Sequence, residues 1–303
     1  MAVQVFHRAG DLKEAFAPAR LAKRPIGLVP TMGALHLGHG SLISRSARDQ
    51  RPDEGVTVVS IFVNPIQFED RFDLDSYPQT LDSDLKLCEE AGADFVFAPS
   101  ANEMYPEGFS TFVDMEGDFL TKLCGAARPG HFRGVLTVVS KLLHITQPTR
   151  AYFGEKDAQQ LFVIKKMARD LGMDVQVIGC PTVRDSDGLA LSSRNSRLSD
   201  KERVAARCLA RAIEDGRSAL AERAAHDLNS RVEAVKKSMA SIIEAESLAR
   251  LDYADILDAD TFGDVTRGTR KALLAVAAYF GETRLIDNMS VDLDCENEAD
   301  GLR

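Results

Sequence analysis

A short segment near the N-terminus decides the fold, and it reads Ile26-Gly27-Leu28-Val29-Pro30-Thr31-Met32-Gly33-Ala34-Leu35-His36-Leu37-Gly38-His39. Its apolar beginning, residues 26–29, predicts a buried strand that ends at the following proline. A glycine-spaced turn comes next, and residues 41–48 then have the pattern of a helix. A helix that starts after a strand and a tight turn attracts anions, because its first backbone N–H groups lack partners within the helix. Two imidazoles, His36 and His39, stand at this helix start.

Apolar runs alternate with helical patterns through the first 183 residues. Strands are predicted at residues 3–6, 26–30, 56–63, 95–98, 151–153 and 175–178, and helices near residues 11–20, 40–50, 80–91, 132–145 and 157–171. Repeated βα alternation predicts an α/β fold with a parallel sheet and helices on both faces. Ligands of such folds bind beyond the carboxyl ends of the strands. The loops at residues 30–39, 64–67 and 154–157 are therefore expected to meet at one edge of the sheet.

The pattern changes after residue 183. Polar connections at residues 184–188 and 192–199 precede two helical stretches, near residues 200–222 and 226–247. Apolar runs at residues 251–257, 272–280 and 283–286 then predict a small antiparallel sheet. We therefore predict a first domain at residues 1–185, a smaller C-terminal α+β domain at residues 186–290 and a frayed polar tail at residues 291–303.

Composition limits the classes of partner. The chain has 303 residues, a net charge of -9 and 45% hydrophobic residues, so a broad nucleic-acid-binding face is not expected. No apolar run approaches the roughly 20 residues that a membrane helix needs. The five cysteines are widely spaced, which predicts buried thiols in a reducing cytoplasm rather than disulfides. Further metal ligands are lacking beside His36 and His39, so we expect no zinc site there.

Three other segments carry polar side chains suited to phosphate chemistry. Gly154-Glu155-Lys156-Asp157 follows a predicted strand, and Lys156 there would stabilise a transferring phosphate while Asp157 caps the next helix. Ser192-Ser193-Arg194-Asn195 supplies hydroxyls and a guanidinium for a triphosphate. Arg128-Pro129-Gly130-His131-Phe132-Arg133 adds positive potential. Taken singly, each segment also fits an ordinary linker or helix entry.

The segment Phe62-Val63-Asn64-Pro65-Ile66-Gln67-Phe68 places amides beside apolar side chains. Such a mixture suits an uncharged polar anchor within an apolar pocket, although an Asn-Pro turn alone has no functional meaning. Gln160, one turn into the helix after Asp157, is expected at the same edge.

Together these segments and residues 273–278 resemble the pantoate–β-alanine ligase family, which shares a His-x-Gly-His signature with the nucleotidyl-transfer superfamily. The match spans roughly residues 1–290. The resemblance implies a Rossmann-like catalytic domain, a C-terminal lid and a homodimer. It also implies an ATP-dependent, AMP-forming ligase that joins (R)-pantoate to β-alanine through a pantoyl-adenylate intermediate, giving pantothenate, AMP and pyrophosphate. Magnesium is expected, held mainly by the ATP phosphates.

The family's site residues carry over by motif. The implied catalytic residues are His36, His39, Lys156, Ser192, Ser193 and Arg194, and the second histidine has a proton-donor role in the family. The implied ATP site comprises Met32, Gly33, Ala34, Leu35, His36, Leu37, Gly38, His39, Gly154, Glu155, Lys156, Asp157, Val183, Leu191, Ser192, Ser193 and Arg194. Gln67 and Gln160 are implied pantoate ligands, Gln67 also lies near β-alanine, and further pocket candidates are Asn64, Pro30, Met32, Phe62, Val135 and Val138. Asp82 and Asp84 could help to hold magnesium, but a solvated helix face is the expectation for both.

The chain departs from the family pattern in two places. Leu191 replaces the usual methionine, and residues 69–79 lack the usual glycine and the arginine after Tyr-Pro.

Two other functions are alternatives to the ligase. A nucleotidylyltransferase that leaves the adenylyl group on its product would use the same histidines and lysine, but its phosphorylated acceptor needs a more basic pocket. A non-catalytic dimeric binding module has no need of all six catalytic candidates.

Overall fold

The computed structural model describes residues 3–68, 74–75, 77–221 and 227–293. Within these ranges the chain forms two compact units. Residues up to 117 and residues 124–183 form the first, and residues 118–123 join residues from 184 onward in the second. The sequence did not indicate that residues 118–123 belong with the C-terminal part. The functional division at residue 185 remains a prediction.

The first unit contains a parallel sheet. Its strands in the described residues are β1 (Gln4–Phe6), β2 (Ile26–Thr31), β3 (Val56–Ile61), β4 (Phe95–Phe97), β5 (Arg150–Gly154) and β6 (Gln176–Cys180). They lie in the order β1-β4-β3-β2-β5-β6, and each neighbouring pair is parallel. The predicted α/β fold class is confirmed. Because β3, β2 and β5 are neighbours, the loops that follow them leave the same edge, as predicted.

Helices cover this sheet and follow the predicted positions closely. The longer ones are Ala9–Leu21, Leu37–Gln50, Leu81–Ala91, His131–Thr146 and Ala158–Asp170, and two short helices, Ala101–Met104 and Leu123–Ala127, were not predicted. Leu42 and Ile43 of one helix pack with Val29, Val59 and Tyr152 of the sheet in a single apolar cluster. The cysteines Cys88, Cys124, Cys180 and Cys208 are buried free thiols, as predicted, and Cys295 lies outside the described residues.

The second unit packs helices on an antiparallel sheet. Its longer helices in the described residues are Asp200–Ala206, Cys208–Ala221 and Leu228–Glu244, so the single helix predicted near residues 200–222 is divided in two. Its strands β7 (Ala249–Asp258), β8 (Lys271–Phe280) and β9 (Thr283–Asp292) form the sheet in the order β7-β8-β9. β8, the central strand, is buried along most of its length.

The predicted polar tail begins too early. β9 continues to Asp292, which pairs with Lys271 of β8, so residues 291 and 292 belong to the sheet. Cross-strand pairing stabilises this polar end, which hydropathy alone does not reveal. The rest of the predicted tail, residues 294–303, lies outside the described residues, and so do residues 69–73 and 76 of the atypical segment. No helix in the described part of the chain is long and apolar enough to span a membrane.

Candidate active site

The turn between β2 and the helix Leu37–Gln50 is held by a buried carboxylate. Gly33 and Ala34 adopt left-handed backbone conformations, with φ of 84° and 50°. Two successive N–H groups, those of Ala34 and Leu35, donate to the two oxygens of Asp84 at 3.0 and 2.8 Å. The hydroxyl of Thr80 donates to the same carboxylate at 3.2 Å. Successive N–H groups in such a turn form an anion-binding concavity, and here the chain's own carboxylate fills it.

Asp84 corrects one expectation and adds a residue to the site. Its side chain is only 1% exposed, so the prediction of a solvated position is wrong for Asp84, although Asp82 is exposed as expected. A buried charge needs several hydrogen-bond donors, and the turn supplies them to the Asp84 carboxylate. Sequence analysis offered no signal for this role beyond an acidic residue in the first turn of the helix Leu81–Ala91. The N–H groups of Ala34 and Leu35, predicted for ATP, already donate to Asp84.

The two histidines are locked as neutral donors. Nδ1 of His36 accepts the N–H of Gly38 at 3.1 Å, and Nδ1 of His39 accepts the N–H of His36 at 3.3 Å. The prediction that these helix-start N–H groups are unpaired is therefore wrong for His36 and Gly38. An accepting Nδ1 carries no proton, so each neutral ring has its proton on Nε2. The ring centres are 4.1 Å apart, and the pair presents two Nε2–H donors.

Electrostatics keep both imidazoles neutral near pH 7. Burial, together with the positive charge of Lys156, lowers the pKa of His36 to about 4. Burial, together with His36, lowers the pKa of His39 to about 3. The charge of Lys156, in the segment after β5, thus acts on His36, in the segment after β2. The joint role predicted for His36, His39 and Lys156 remains a prediction.

The segment after β5 is ordered by its helix cap. The side chain of Asp157 accepts the N–H of Gln160 at 3.1 Å, which confirms the predicted N-cap. The N–H of Glu155 donates to the carbonyl of Cys180 at 2.8 Å, so this segment is tied to the end of β6. Apart from Gly154 and its chain neighbours, no atom of the described residues lies within 4 Å of the position that a Cβ on Gly154 would occupy. The end of β5 is therefore open to a ligand, with Lys156 and Gln160 half-buried beside it.

A buried amide network lies after β3. Nδ2 of Asn64 donates to Oε1 of Gln67 at 2.9 Å and to the carbonyl of Gly134 at 3.2 Å. Oδ1 of Asn64 accepts from the hydroxyl of Tyr105 at 2.8 Å. Asn64 was a candidate substrate contact, but its polar atoms are bonded to protein groups and its side chain is buried. Asn64 braces Gln67, and its contact with a substrate remains a prediction.

Gln67 is also held from two other sides. Its Nε2 lies 3.0 Å from the sulfur of Met32, which brings these two predicted substrate residues together. Nδ1 of His131 donates to the Gln67 carbonyl at 2.9 Å. A Cβ on Gly134 would stand only 2.5 Å from the carbonyl oxygen of Ile66, so the turn Pro65–Gln67 packs directly on the helix backbone. This close approach requires glycine at position 134.

The positively charged candidates near Gln67 contact other protein groups. Nδ1 of His131 donates to the Gln67 carbonyl, and its Nε2 lies 3.5 Å from a guanidinium nitrogen of Arg128. The positive potential expected of Arg128, His131 and Arg133 remains a prediction. Arg133 stacks on Phe112, 4.1 Å from the ring centre, and lies 3.8 Å from Asp114.

The apolar candidates and the remaining ATP candidates differ in how far they are exposed to solvent. Phe62, Val135 and Val138 are buried, whereas Pro30 is half-buried like Met32. Leu37 is 75% exposed at the start of its helix. Val183 is half-buried and ends the first unit.

The Ser-Ser-Arg segment lies in the second unit. The hydroxyl of Ser192 accepts the N–H of Arg194 at 3.2 Å and caps a short helix, Ser193–Arg197. Asn195 donates to the carbonyl of Ala190 at 3.1 Å, which ties this helix to the residues before Leu191. The roles of Leu191, Ser192, Ser193 and Arg194 with ATP remain predictions.

Comparison with known proteins defines the family. A model of the pantoate-β-alanine ligase family matches residues 4–290. Pantothenate synthetase of Ruminiclostridium cellulolyticum is 50% identical over 266 residues, covering 88% of this chain and 90% of that protein. The crystal structure of pantothenate synthetase from Thermus thermophilus matches with a TM-score of 0.83 and 42% identity, covering 95% of this chain and 99% of that one.

A third relative was solved with ligands. The pantoate-β-alanine ligase of Francisella tularensis, complexed with beta-gamma ATP and β-alanine, matches with a TM-score of 0.76 and 33% identity, covering 95% of this chain and 97% of that one. The present chain belongs to the pantoate–β-alanine ligase family, and it is a ligase.

Proposed function

We propose that this chain condenses (R)-pantoate with β-alanine, using ATP, to give pantothenate, AMP and pyrophosphate through pantoyl adenylate. The observation that carries the proposal is the cluster of His36, His39 and Lys156 at the carboxyl ends of β2 and β5. Two neutral N–H donors beside one ammonium group suit the oxygens of a polyphosphate. The Francisella tularensis relative, complexed with beta-gamma ATP and β-alanine, supports ATP and β-alanine as substrates here.

In the first step, a carboxylate oxygen of pantoate attacks the α-phosphorus of ATP. A new P–O bond forms, and the bond from the α-phosphorus to the bridging oxygen breaks as pyrophosphate leaves. A carboxylate is already nucleophilic, so alignment and charge stabilisation matter more than a general base. Lys156 would stabilise charge on the α-phosphate, and the Nε2–H groups of His36 and His39 would donate to phosphate oxygens. Ser192, Ser193 and Arg194 would bind the departing pyrophosphate.

In the second step, the amine of β-alanine attacks the acyl carbon of pantoyl adenylate. The new C–N bond replaces the C–O bond to AMP, and the amine loses a proton. Gln67 and Gln160 would bind pantoate, and Gln67 would also lie near β-alanine. Phe62, Val135 and Val138, with Pro30 and Met32, would contact the geminal methyl groups of pantoate. The mixed anhydride must be kept from water, which is the role we assign to residues 186–290 as a lid.

Magnesium would neutralise the phosphates of bound ATP. Among the residues that the structure describes, no three His, Cys, Asp or Glu side chains are grouped to hold a metal ion. Asp84 is engaged by two N–H groups and a hydroxyl. We therefore assign the ion to phosphate oxygens and water, which is common for Mg²⁺. A homodimer and a cytoplasmic location complete the proposal, on the family resemblance.

The decisive experiment is pyrophosphate release by the purified chain with ATP and Mg²⁺. Pantoate alone should start release, and β-alanine should then greatly increase the turnover of ATP to AMP and yield pantothenate. No release with pantoate would refute the proposed acceptor. Release in which the adenylyl group stays on the final product would favour the nucleotidylyltransferase instead.

A further inference from the structure

The amide network behind Gln67 has a fixed hydrogen-bond direction. The Gly134 carbonyl can only accept, so the Asn64 atom at 3.2 Å from it must be the amino group, Nδ2. The same Nδ2 faces Gln67 at 2.9 Å, so the Gln67 atom there must be its oxygen. The Gln67 amide is thereby oriented with its NH₂ group away from Asn64. This direction needs a carbonyl at Nδ2 of Asn64 and a hydrogen-bond donor at its Oδ1.

Tyr105 completes this network at the far end. Its hydroxyl donates to Oδ1 of Asn64 at 2.8 Å. Burial raises the pKa of Tyr105, so the hydroxyl remains a donor across the working pH range. Phe62 and Phe109 pack beside the ring, with centres at 6.0 and 5.0 Å, and hold it in place.

We propose that Tyr105 is a positioning residue for substrate binding: through Asn64 it holds the Gln67 amide so that Nε2–H, and not Oε1, faces the pocket. The proposal rests on the proposed function, in which Gln67 binds pantoate. The carboxylate of pantoate has only acceptor oxygens, which an N–H donor suits and an amide carbonyl oxygen repels. The sulfur of Met32, 3.0 Å from Nε2, is a weak acceptor that a substrate oxygen displaces at little cost.

Removal of the Tyr105 hydroxyl leaves Oδ1 of Asn64 buried without this donor. The Gly134 carbonyl still holds Nδ2 of Asn64, but Asn64 then has one anchor in place of two, and the Gln67 amide rotates more readily between its two orientations. Only one of these presents N–H to the substrate. A hydrogen bond to a charged substrate group increases the affinity on the order of tenfold. Tyr105→Phe should therefore raise the KM for pantoate about tenfold.

The matched control is Tyr152→Phe, which removes another buried tyrosine hydroxyl from the same unit. That hydroxyl bonds Gln50 at 2.9 Å and Asp49 at 3.2 Å, at the C-terminal end of the helix Leu37–Gln50. Tyr105→Phe should raise the KM for pantoate and leave the KM for ATP at the control's value. Equal effects of both variants on both constants would overturn the proposal, because a general loss of stability affects both substrates.

A second readout does not depend on the reaction. The Gln67 side-chain amide signal in a ¹H–¹⁵N spectrum is assigned by its loss in Gln67→Glu, a variant that still accepts from Asn64 but no longer donates. Tyr105→Phe should shift or broaden that signal, although Tyr105 bonds Asn64 and not Gln67, whereas Tyr152→Phe should leave it in place. An unmoved signal would overturn the positioning role. A moved signal in a protein without pantoate-dependent pyrophosphate release would support the positioning role and refute the proposed function.

Discussion

The substitution Asp84→Asn tests how firmly the turn before His36 is held. Oδ1 of Asp84 accepts from Leu35 and Thr80, and Oδ2 accepts from Ala34. An asparagine that keeps its oxygen toward Leu35 and Thr80 turns its amino group toward the N–H of Ala34. One charge-assisted hydrogen bond is lost, and two donors then face each other.

The expected loss follows from these contacts. Hydrogen bonds to charged groups contribute about 1.5–3 kcal/mol each, and the side chain is only 1% exposed, so solvent screens little of this contribution. We expect the free energy of unfolding to fall by about 2–3 kcal/mol. Pyrophosphate release should slow by about tenfold or more, because the left-handed turn at Gly33 and Ala34 positions the histidine pair.

The matched control is Asp82→Asn, in the same helix turn but exposed to solvent. This variant removes the same charge and should change the free energy of unfolding by less than about 0.5 kcal/mol. Urea unfolding at pH 7 and pyrophosphate release with pantoate measure both effects. Equal losses in the two variants would refute the role of Asp84 in holding the turn, because removal of a negative charge alone would then explain both results.

Three further predictions concern the histidines, the lysine and the packing below Gln67. Lys156→Ala should reduce pyrophosphate formation by about 10²–10³-fold. It should also raise the pKa of His36 from about 4, followed by NMR titration, and an unchanged titration would contradict the proximity of the two groups. Because His36 titrates near 4 when folded and near 6.5 when unfolded, the unfolded chain binds more protons between these pH values, and the free energy of unfolding should fall as the pH drops through them. His36→Asn keeps an acceptor for the Gly38 N–H but removes the titrating ring, so the free energy of unfolding should depend less on pH in this variant. If it changes with pH as steeply as in the wild type, His36 is not the cause of the pH dependence. Gly134→Ala should raise the KM for pantoate, because the new Cβ displaces the turn Pro65–Gln67, while Gly10→Ala, with no atom within 4 Å, is the control. A KM equal to that of the control would show that the turn adapts without cost.

The sequence was sufficient for the sheet and for the groups that meet at its edge. Apolar runs located β2, β3 and β5, and the rule for parallel sheets placed the loops after them at one edge. The N-cap at Asp157 followed from its side-chain chemistry. These features depend on local pattern, which a single sequence carries.

The sequence did not reveal which polar groups are bound by the protein itself. Asp84 and Asn64 are distant in sequence from Leu35 and Tyr105, and their hydrogen bonds exist only after the chain has folded. Asp82 and Asp84 were both expected to be solvated, but residues two apart in a helix point to opposite sides, and only Asp84 is buried. The contact of His131 with the Gln67 carbonyl likewise joins residues distant in sequence, and no local pattern identifies it.

The neutrality of His36 and His39 affects how readily products that carry phosphate leave the site after each turnover. A cationic imidazole would bind a released polyanion strongly and favour inhibition by product. Neutral rings donate through Nε2–H without adding a fixed charge, so Lys156 supplies the positive charge of this cluster. In the proposed reaction, a phosphate group at this cluster therefore separates from two dipoles and one ammonium group rather than from three cations, while Arg194 binds the departing pyrophosphate. The same burial that keeps the histidines neutral near pH 7 thus limits how tightly this cluster holds a product phosphate.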